Sequence, residues 1–286
     1  MRQKITAEID VVNTGKSKKK TLVIGNGEIG RSMAEILNDT YEVHIRDVVS
    51  SISGQFDVLN ICYPYSEQFV DITKNYIKQY QPKLVIVHST VKPGTTRAIG
   101  KLAVHSPVNG RHPDLVPHIR AFSKVVAGMN AYKVYQAYQF LTEAGLSVQI
   151  FSSPESSEVA KICCTSIQYA LDLVKMKEMV RIAQEFNVPF HEIYTQWNTI
   201  YNHGYATIGE YRFNRTNLLP MEGVIGGHCV IPNCELLEDE ICEFVKSRNH
   251  LYEKNGKSEK SEVKLSMPAR ERESVRITNS QSKVRK

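Results

Sequence analysis

The chain has 286 residues, of which 42% are hydrophobic, enough to bury the cores of two modest domains. Its formal charge of +6 is concentrated at one end, because residues 246–286 hold 12 Lys and Arg against 5 Asp and Glu, whereas residues 1–245 hold 24 against 25. The near-neutral body argues against a nucleic-acid-binding face, and no apolar run approaches the ~20 residues that cross a bilayer. Six cysteines without an apolar leader segment predict free thiols in a reducing compartment, so we expect a cytoplasmic protein.

Composition and hydrophobic periodicity divide the chain into four regions. We expect a basic N-terminal segment over 1–20, a nucleotide-binding domain over 21–152 and a helical domain over 153–245. Residues 246–286 are rich in Lys, Glu, Ser and Arg without apolar periodicity, which predicts a disordered basic tail.

Short apolar runs alternate with helical patterns through the second region. The predicted strands are 21–24, 41–46, 57–62, 83–88, 124–127 and 147–151. This alternation predicts a Rossmann-type α/β fold, a doubly wound parallel sheet, followed by a smaller all-helical domain built on one long helix. Ligands of such sheets bind at the carboxyl ends of the strands.

The first predicted strand leads into a glycine-rich turn that opens a helix. The turn reads Gly25-Asn26-Gly27-Glu28-Ile29-Gly30, the GxGxxG pattern of dinucleotide-binding loops. Asp47 ends the second strand, where a carboxylate accepts hydrogen bonds from the adenosine ribose of NAD. Arg46 keeps NADP open, because a guanidinium pairs with a 2′-phosphate, and Asp47 as an ordinary turn residue is the alternative.

A polar loop, His88 to Thr96, follows the fourth predicted strand. Ser89 and Thr90 in this loop are candidates to hydrogen-bond cofactor or substrate. The alternative is an ordinary loop in which Thr95 or Thr96 caps a helix.

A long helical pattern starts near Ser153 and Pro154 and runs to about Phe186. Lys161 lies about two turns inside it. There, a lysine would stabilise a developing alkoxide by its charge or, if burial lowers its pKa, accept a proton. A solvated lysine on the outer face is the alternative.

The stretch from Gly223 to Asn233 reads GVIGGHCVIPN and carries Cys229 on a glycine-rich turn. Gly226, Gly227 and His228 precede the thiol, an arrangement that suits nucleophilic chemistry on a carbonyl. The alternative is a small buried cysteine beside a tight turn. A metal site is not expected, because the histidine and cysteines here lack the paired spacing of zinc ligands.

GNGEIG, STVKPGTT, a lysine in SSEVAKI and GGHC occur in this order, and together they resemble the UDP-glucose/GDP-mannose dehydrogenase family over residues 21–237. The resemblance implies oxidation of a nucleotide-sugar primary alcohol to the acid in two NAD-dependent steps. It implies that Lys161 is the active-site lysine, and that Cys229 forms a thiohemiacetal and then a thioester that water hydrolyses.

The chain departs from the family pattern at three places. Thr165 stands where relatives carry an asparagine, and Asn233 where they carry an aspartate, so the resemblance implies that both belong to the catalytic site. Near the expected glutamate the chain has His112 instead. The family's second nucleotide-binding domain has no counterpart in the sequence after Val245.

Candidate substrate contacts are spread over two segments. Arg111 and His112 are candidates to bind a phosphate or to form a structural turn, and Tyr201 and Asn202 to bind a polyol ring or to pack. Arg215 is a candidate to bind an anion. We expect a small-molecule substrate and a homodimer, with a two-electron 3-hydroxyacid-type dehydrogenase and a degenerate NAD- or nucleotide-sugar-binding protein as alternatives.

Overall fold

Alternating strands and helices build the first of two structural units, which ends at Glu158, and the second begins at Val159. The computed structural model describes residues 18–47, 52–225 and 229–258. The basic N-terminal segment therefore lies outside the described residues, apart from 18–20.

A seven-stranded sheet forms the centre of the first unit, in the order β2-β1-β3-β4-β5-β6-β7. The strands are β1 (Lys20–Ile24), β2 (Glu42–Arg46), β3 (Val58–Ile61), β4 (Leu84–Val87), β5 (Ala103–His105), β6 (Lys124–Gly128) and β7 (Val148–Ile150). All neighbours pair in parallel except β5 and β6. The predicted Rossmann-type fold is confirmed, and β5 is an addition to the predicted strands.

Side chains alternate between the two faces of the sheet and bury both. Leu22, Leu59 and Val85 belong to one apolar cluster, whereas Val23 and Val58 belong to the cluster on the opposite face. Both faces are covered by helices, which is why the central strands β3 and β4 are buried at every residue.

The helices of this unit are α1 (Glu28–Asn38), α2 (Phe69–Tyr80), α3 (Thr95–Ile99), α4 (Leu115–Ala121) and α5 (Ala131–Glu143). Met33 of α1 and Phe140 of α5 pack on one face of the sheet, and Phe69 and Tyr80 of α2 on the other. The result is a three-layer arrangement of helices, sheet and helices, in which loops lie at the ends of the strands.

The second unit is helical, and its central helix changes pitch. It comprises α6 (Pro154–Lys161), which starts in the first unit, a π-helical turn (Ile162–Ile167), α7 (Gln168–Glu185), a second π-helical turn (His191–Gln196), α8 (Trp197–Thr207), a 3₁₀ turn (Tyr211–Phe213), α9 (Val230–Cys234) and α10 (Glu240–Ser258). Pro154 opens α6, and the Ser153 hydroxyl accepts the amide of Ser156 at 3.1 Å, as the helix-start pattern predicts.

The tail predicted over 246–286 begins inside α10, so that the prediction of disorder is wrong for 246–258. Polar contacts explain the order: Asn249 accepts the amide of Ile225 at 2.6 Å, and the Tyr252 hydroxyl donates to Glu178 at 3.1 Å. Cys242, Val245 and Tyr252 of the same helix add apolar contacts to the core of this unit. Residues 259–286 lie outside the described residues.

Gly30→Ala should destabilise the first unit, whereas Gly27→Ala should leave its stability nearly unchanged. A Cβ on Gly30 would lie 1.8 Å from the Gly25 carbonyl oxygen, but one on Gly27 would meet nothing within 4 Å. We expect Gly30→Ala to lower the free energy of unfolding by about 1–3 kcal/mol, the usual effect of overpacking, and Gly27→Ala by less than about 1 kcal/mol. Urea unfolding of both variants checks this, and equal losses would contradict it.

Candidate active site

The glycine-rich turn joins β1 to α1 with its backbone in a conformation that only glycine adopts readily. Gly25 has φ +104° and its amide donates to the carbonyl of Arg46 at 2.9 Å, while a Cβ there would lie 2.9 Å from the amide nitrogen of Tyr63. Gly30 packs directly on Gly25, and Gly27 faces open space. These are the three roles that glycines fulfil in a dinucleotide-binding turn.

The other predicted residues of this turn divide between solvent and core. Asn26 is exposed, Glu28 begins α1, and Ile29 packs against the apolar cluster that covers one face of the sheet. The open side of Gly27 and the start of α1 fit the pyrophosphate of a dinucleotide.

At the end of β2, Arg46 and Asp47 have different environments. The Arg46 guanidinium donates to Gln79 at 3.0 Å and to the Tyr80 hydroxyl, and it stacks 4.8 Å from the Tyr76 ring centroid. Asp47 is exposed at the strand end, where sequence reasoning placed it. Arg46 is thus engaged with α2.

The loop after β4 is held by polar contacts that sequence reasoning missed. Ser89 is buried and its hydroxyl donates to the Tyr63 carbonyl at 2.6 Å, so this predicted cofactor ligand has a structural contact; Thr90 is partly exposed. The buried Glu158 carboxylate accepts the amides of Gly94 at 2.6 Å and Thr96 at 2.8 Å. Burial raises the pKa of Glu158. Its place near the start of a helix gave no hint of this contact.

His112 lies beside the glycine-rich turn. Its Nδ1 hydrogen-bonds the Glu28 carboxylate, which joins a predicted substrate residue to a predicted cofactor residue. Arg111 is exposed. The pair places an imidazole next to the start of α1, where it can meet an anion.

In the second unit, Lys161 and Cys229 are close enough for their charges to interact. Lys161 ends α6, and burial lowers its pKa from the ordinary value of 10.5 to about 8, while a thiolate at Cys229 would raise it. Cys229 is partly buried and directly precedes α9. An amine that titrates near neutral pH beside a thiol is an arrangement typical of catalytic sites.

Asn233 meets a residue that sequence reasoning did not select. Its side-chain amide donates to the Ser166 hydroxyl at 3.0 Å, whereas Thr165, the predicted site residue, is exposed.

The loop that leads to Cys229 is anchored from two helices. The Lys177 ammonium on α7 donates to the carbonyls of Met221 and Gly223, each at 2.7 Å, and Asn249 on α10 accepts the amide of Ile225. Burial lowers the pKa of Lys177. The predicted residues Gly226, Gly227 and His228 lie outside the described residues.

Tyr201, Asn202 and Arg215 form one cluster. The Arg215 guanidinium lies 3.5 Å from the Tyr201 ring centroid. The Asn202 side chain donates to the Arg215 carbonyl at 2.9 Å and accepts its amide at 2.7 Å. Asn202 therefore fixes the backbone of Arg215, and the exposed guanidinium is the group left to meet a ligand.

Solved structures with this architecture cover most of the chain. UDP-D-ManNAc dehydrogenase from Pyrococcus horikoshii matches with TM-score 0.69 and 16% identity, over 82% of this chain and 68% of that one. The chain has the fold of the nucleotide-sugar dehydrogenases. A UDP-glucose dehydrogenase from Pyrobaculum islandicum matches with TM-score 0.63 and 15% identity, over 84% of this chain and 70% of that one.

A smaller enzyme shares the same fold over nearly its whole length. Mycobacterium tuberculosis 3-hydroxyisobutyrate dehydrogenase matches with TM-score 0.60 and 13% identity, over 84% of this chain and 94% of that one. No protein-family model matches the sequence, and no curated protein matches it. The expected resemblance is thus confirmed at the level of the fold.

Two further properties concern the described residues alone. No described helix has the length and apolar character that crossing a membrane requires. Within the same ranges, no His, Cys, Asp and Glu side chains cluster in threes or more in a way that could hold a metal ion.

Lys161→Met should make the chain more stable at neutral pH. Below pH 8 Lys161 is protonated in both the folded and the unfolded chain, so the folded chain bears the full cost of burying the ammonium. A fall of the pKa from 10.5 to about 8 corresponds to a cost of at most about 3 kcal/mol. Between pH 8 and 10.5 the unfolded state binds more protons, so the stability of the unaltered chain rises with pH and its deficit against Lys161→Met disappears. Urea unfolding of the unaltered chain and of Lys161→Met from pH 6 to 10.5 measures the two stabilities.

Lys175→Met, which removes an exposed lysine of α7, is the matched control and should change stability by less than about 0.5 kcal/mol. A Lys161→Met variant that is less stable than the unaltered chain at pH 7 would show that the ammonium is well compensated.

Proposed function

We propose that the chain is an NAD-dependent oxidoreductase acting on the alcohol of a nucleotide sugar or a related sugar-like substrate. The observation that carries the proposal is the pairing of Lys161, with its lowered pKa, and Cys229, in a chain with a dehydrogenase fold and a dinucleotide-binding turn. In this proposal Cys229 is the nucleophile and Lys161 is the charge stabiliser or base.

NAD, when bound, accepts one hydride, so the two oxidation steps need two NAD molecules in turn. Lys161 stabilises the alkoxide of the alcohol, or takes its proton, as the first hydride leaves and an aldehyde forms. The Cys229 sulfur then adds to the aldehyde carbon, giving a thiohemiacetal whose carbon loses the second hydride. The product is a thioester, and water breaks its C–S bond to release the acid and the thiol.

Two features support NAD over NADP as the cofactor. The Arg46 guanidinium is engaged by Gln79, Tyr80 and the Tyr76 ring, and so is turned to α2. Asp47 presents an exposed carboxylate at the end of β2, which suits a ribose hydroxyl and repels a 2′-phosphate.

Substrate contacts are proposed for the Arg215 cluster, because an exposed guanidinium on an aromatic ring suits a phosphate or a carboxylate. Tyr201 supplies that aromatic face for a sugar ring. Arg111 and His112 lie by the start of α1 and are proposed to meet anionic groups there. Gly226, Gly227 and His228, which precede the thiol in the sequence, are also proposed as substrate contacts.

A homodimer in the cytoplasm is also proposed. Large apolar side chains of the second unit are exposed, Phe186 by 70%, Trp197 by 61% and Ile200 by 60%, and a partner surface would cover them. The six cysteines are all free thiols, which fits a reducing compartment.

A two-electron dehydrogenase of 3-hydroxyacid type is the second candidate. The 94% coverage of the Mycobacterium tuberculosis enzyme favours it, as does the uncharged Asn233 where the nucleotide-sugar family carries an aspartate. Such an enzyme would use Lys161 and leave Cys229 without a covalent role.

Cys229→Ala should abolish acid formation. We expect the unaltered chain to release two NADH per molecule of a nucleotide-sugar alcohol, and Cys229→Ala to release at most one, because no thioester can form. NADH absorbance with mass spectrometry of the products measures both, across a panel of nucleotide sugars and 3-hydroxyacids.

Cys164→Ala, which removes an exposed thiol of the first π-helical turn, should behave like the unaltered chain. One NADH per substrate from both the unaltered chain and Cys229→Ala would reject the covalent role and favour the two-electron candidate.

A further inference from the structure

We propose that Ser166 is a positioning residue of this site, brought to it by the π-helical turn that follows Lys161. Through a hydrogen bond to Asn233, it holds α9 and therefore Cys229 in place against the helix that carries Lys161. The inference rests on the proposed function, since it concerns the same lysine and thiol.

The π-helical turn changes which residue follows Lys161 on its face of the helix. In this turn the backbone bonds link residues five apart, as the amide of Gln168 and the carbonyl of Cys163 show. A residue five positions after Lys161 thus takes the place that a residue four positions on would take in an α-helix. That residue is Ser166, and the position four residues on is Thr165.

Burial agrees with this change of register. Ser166 is 3% exposed, whereas Thr165 is exposed to solvent. Ile162 and Ile167, at the two ends of the turn, lie in the apolar cluster of the second unit together with Val230 of α9. The turn therefore packs against the short helix that follows Cys229.

One hydrogen bond connects the two elements. The Asn233 side-chain amide donates to the Ser166 hydroxyl at 3.0 Å. The Asn233 backbone amide donates to the Cys229 carbonyl, also at 3.0 Å, so Asn233 closes the turn that begins at the thiol. The Ser166 hydroxyl is buried, so the loss of Asn233 would leave it without this partner in a poorly solvated position.

The contact fixes the distance between the two reactive groups. Lys161 stands at the start of the π-helical turn and Cys229 at the start of α9, so a bond between Ser166 and Asn233 ties the segments that carry them. Without it, α9 loses one of the contacts that hold it against the π-helical turn. A displacement of about 1 Å at a catalytic group is enough to slow its chemistry strongly.

The test measures Cys229 itself and needs neither cofactor nor substrate. Iodoacetamide alkylation of the native chain, followed by mass spectrometry of the peptide that contains Cys229, gives a rate at each pH from 6 to 9. We expect Ser166→Ala and Asn233→Ala each to change this rate at least about threefold at neutral pH and to change the shape of the pH profile. The double variant should be no more affected than either single variant.

Two controls separate positioning from a loss of structure. Ser166→Thr keeps the hydroxyl and should stay within about twofold of the unaltered chain, and Thr165→Ala should do the same because its side chain is exposed. Urea unfolding of each variant shows whether it is folded. If Ser166→Ala fails to fold, Asn233→Ala breaks the same bond from the other side and decides the matter.

Alkylation of Cys229 at the unaltered rate and pH profile in both Ser166→Ala and Asn233→Ala would overturn the inference, as would additive effects in the double variant. These outcomes are separate from a failure of the proposed function. A chain without dehydrogenase activity can still show the coupling, and an active chain that depends on Cys229 can lack it.

Discussion

The second unit has to accommodate a largely buried ammonium group, that of Lys161. Lys161 loses water on folding, and its pKa falls to about 8 even though a thiolate at Cys229 would oppose the shift. Nothing in apolar packing requires a lysine there. The cost is offset by the helix that carries it, because Ile162 and Leu173 on the same continuous helix are buried completely in the apolar cluster of this unit. One element thus bears the destabilising group and supplies the packing that tolerates it.

In the first unit, the loops that follow the strands are held in place by polar contacts. The edge at the carboxyl ends of the strands is tied down by buried polar bonds. His88 bridges Asn60 of β3 and the carbonyl of Ser106, and the Glu158 carboxylate secures the loop that holds Gly94. Burial lowers the pKa of His88 well below its usual value, and its two ring nitrogens lie within hydrogen-bond distance of both oxygens. A rigid edge is what a preorganised cofactor site needs.

The sequence predicts the sheet well because its central strands are apolar on both faces and bounded by turns. β5 escapes prediction since three residues, Ala103 to His105, carry too little pattern, and only tertiary pairing with β4 and β6 defines the strand. With it, the antiparallel direction of β6 is missed as well. The helix start at Pro154 is predictable because its signals are local.

The candidate site is predictable only in part, for a related reason. Lys161 and Cys229 stand out through family resemblance, and the structure brings them together. Ser166 does not, because a π-helical turn has no readable periodicity and counting four residues from Lys161 leads to Thr165. The roles of Glu158 and Asn249 also depend on partners that are distant in the sequence. Glu158 and Thr96 are 62 residues apart, and Asn249 and Ile225 are 24 residues apart.

Asn233, which follows Cys229 in α9, is a neutral residue, and this matters for the charge of Lys161 in the proposed reaction. A carboxylate held in this cluster would favour the charged form of the lysine and raise its pKa, because opposite charges stabilise each other in a poorly solvated site. Asn233 and Ser166 are neutral, so they bind to each other without opposing the effect of burial. Burial lowers the pKa of Lys161 to about 8, which brings the amine nearer to the pH range in which proton transfer is effective. In the proposed reaction, proton transfer is therefore assigned to the Lys161 amine.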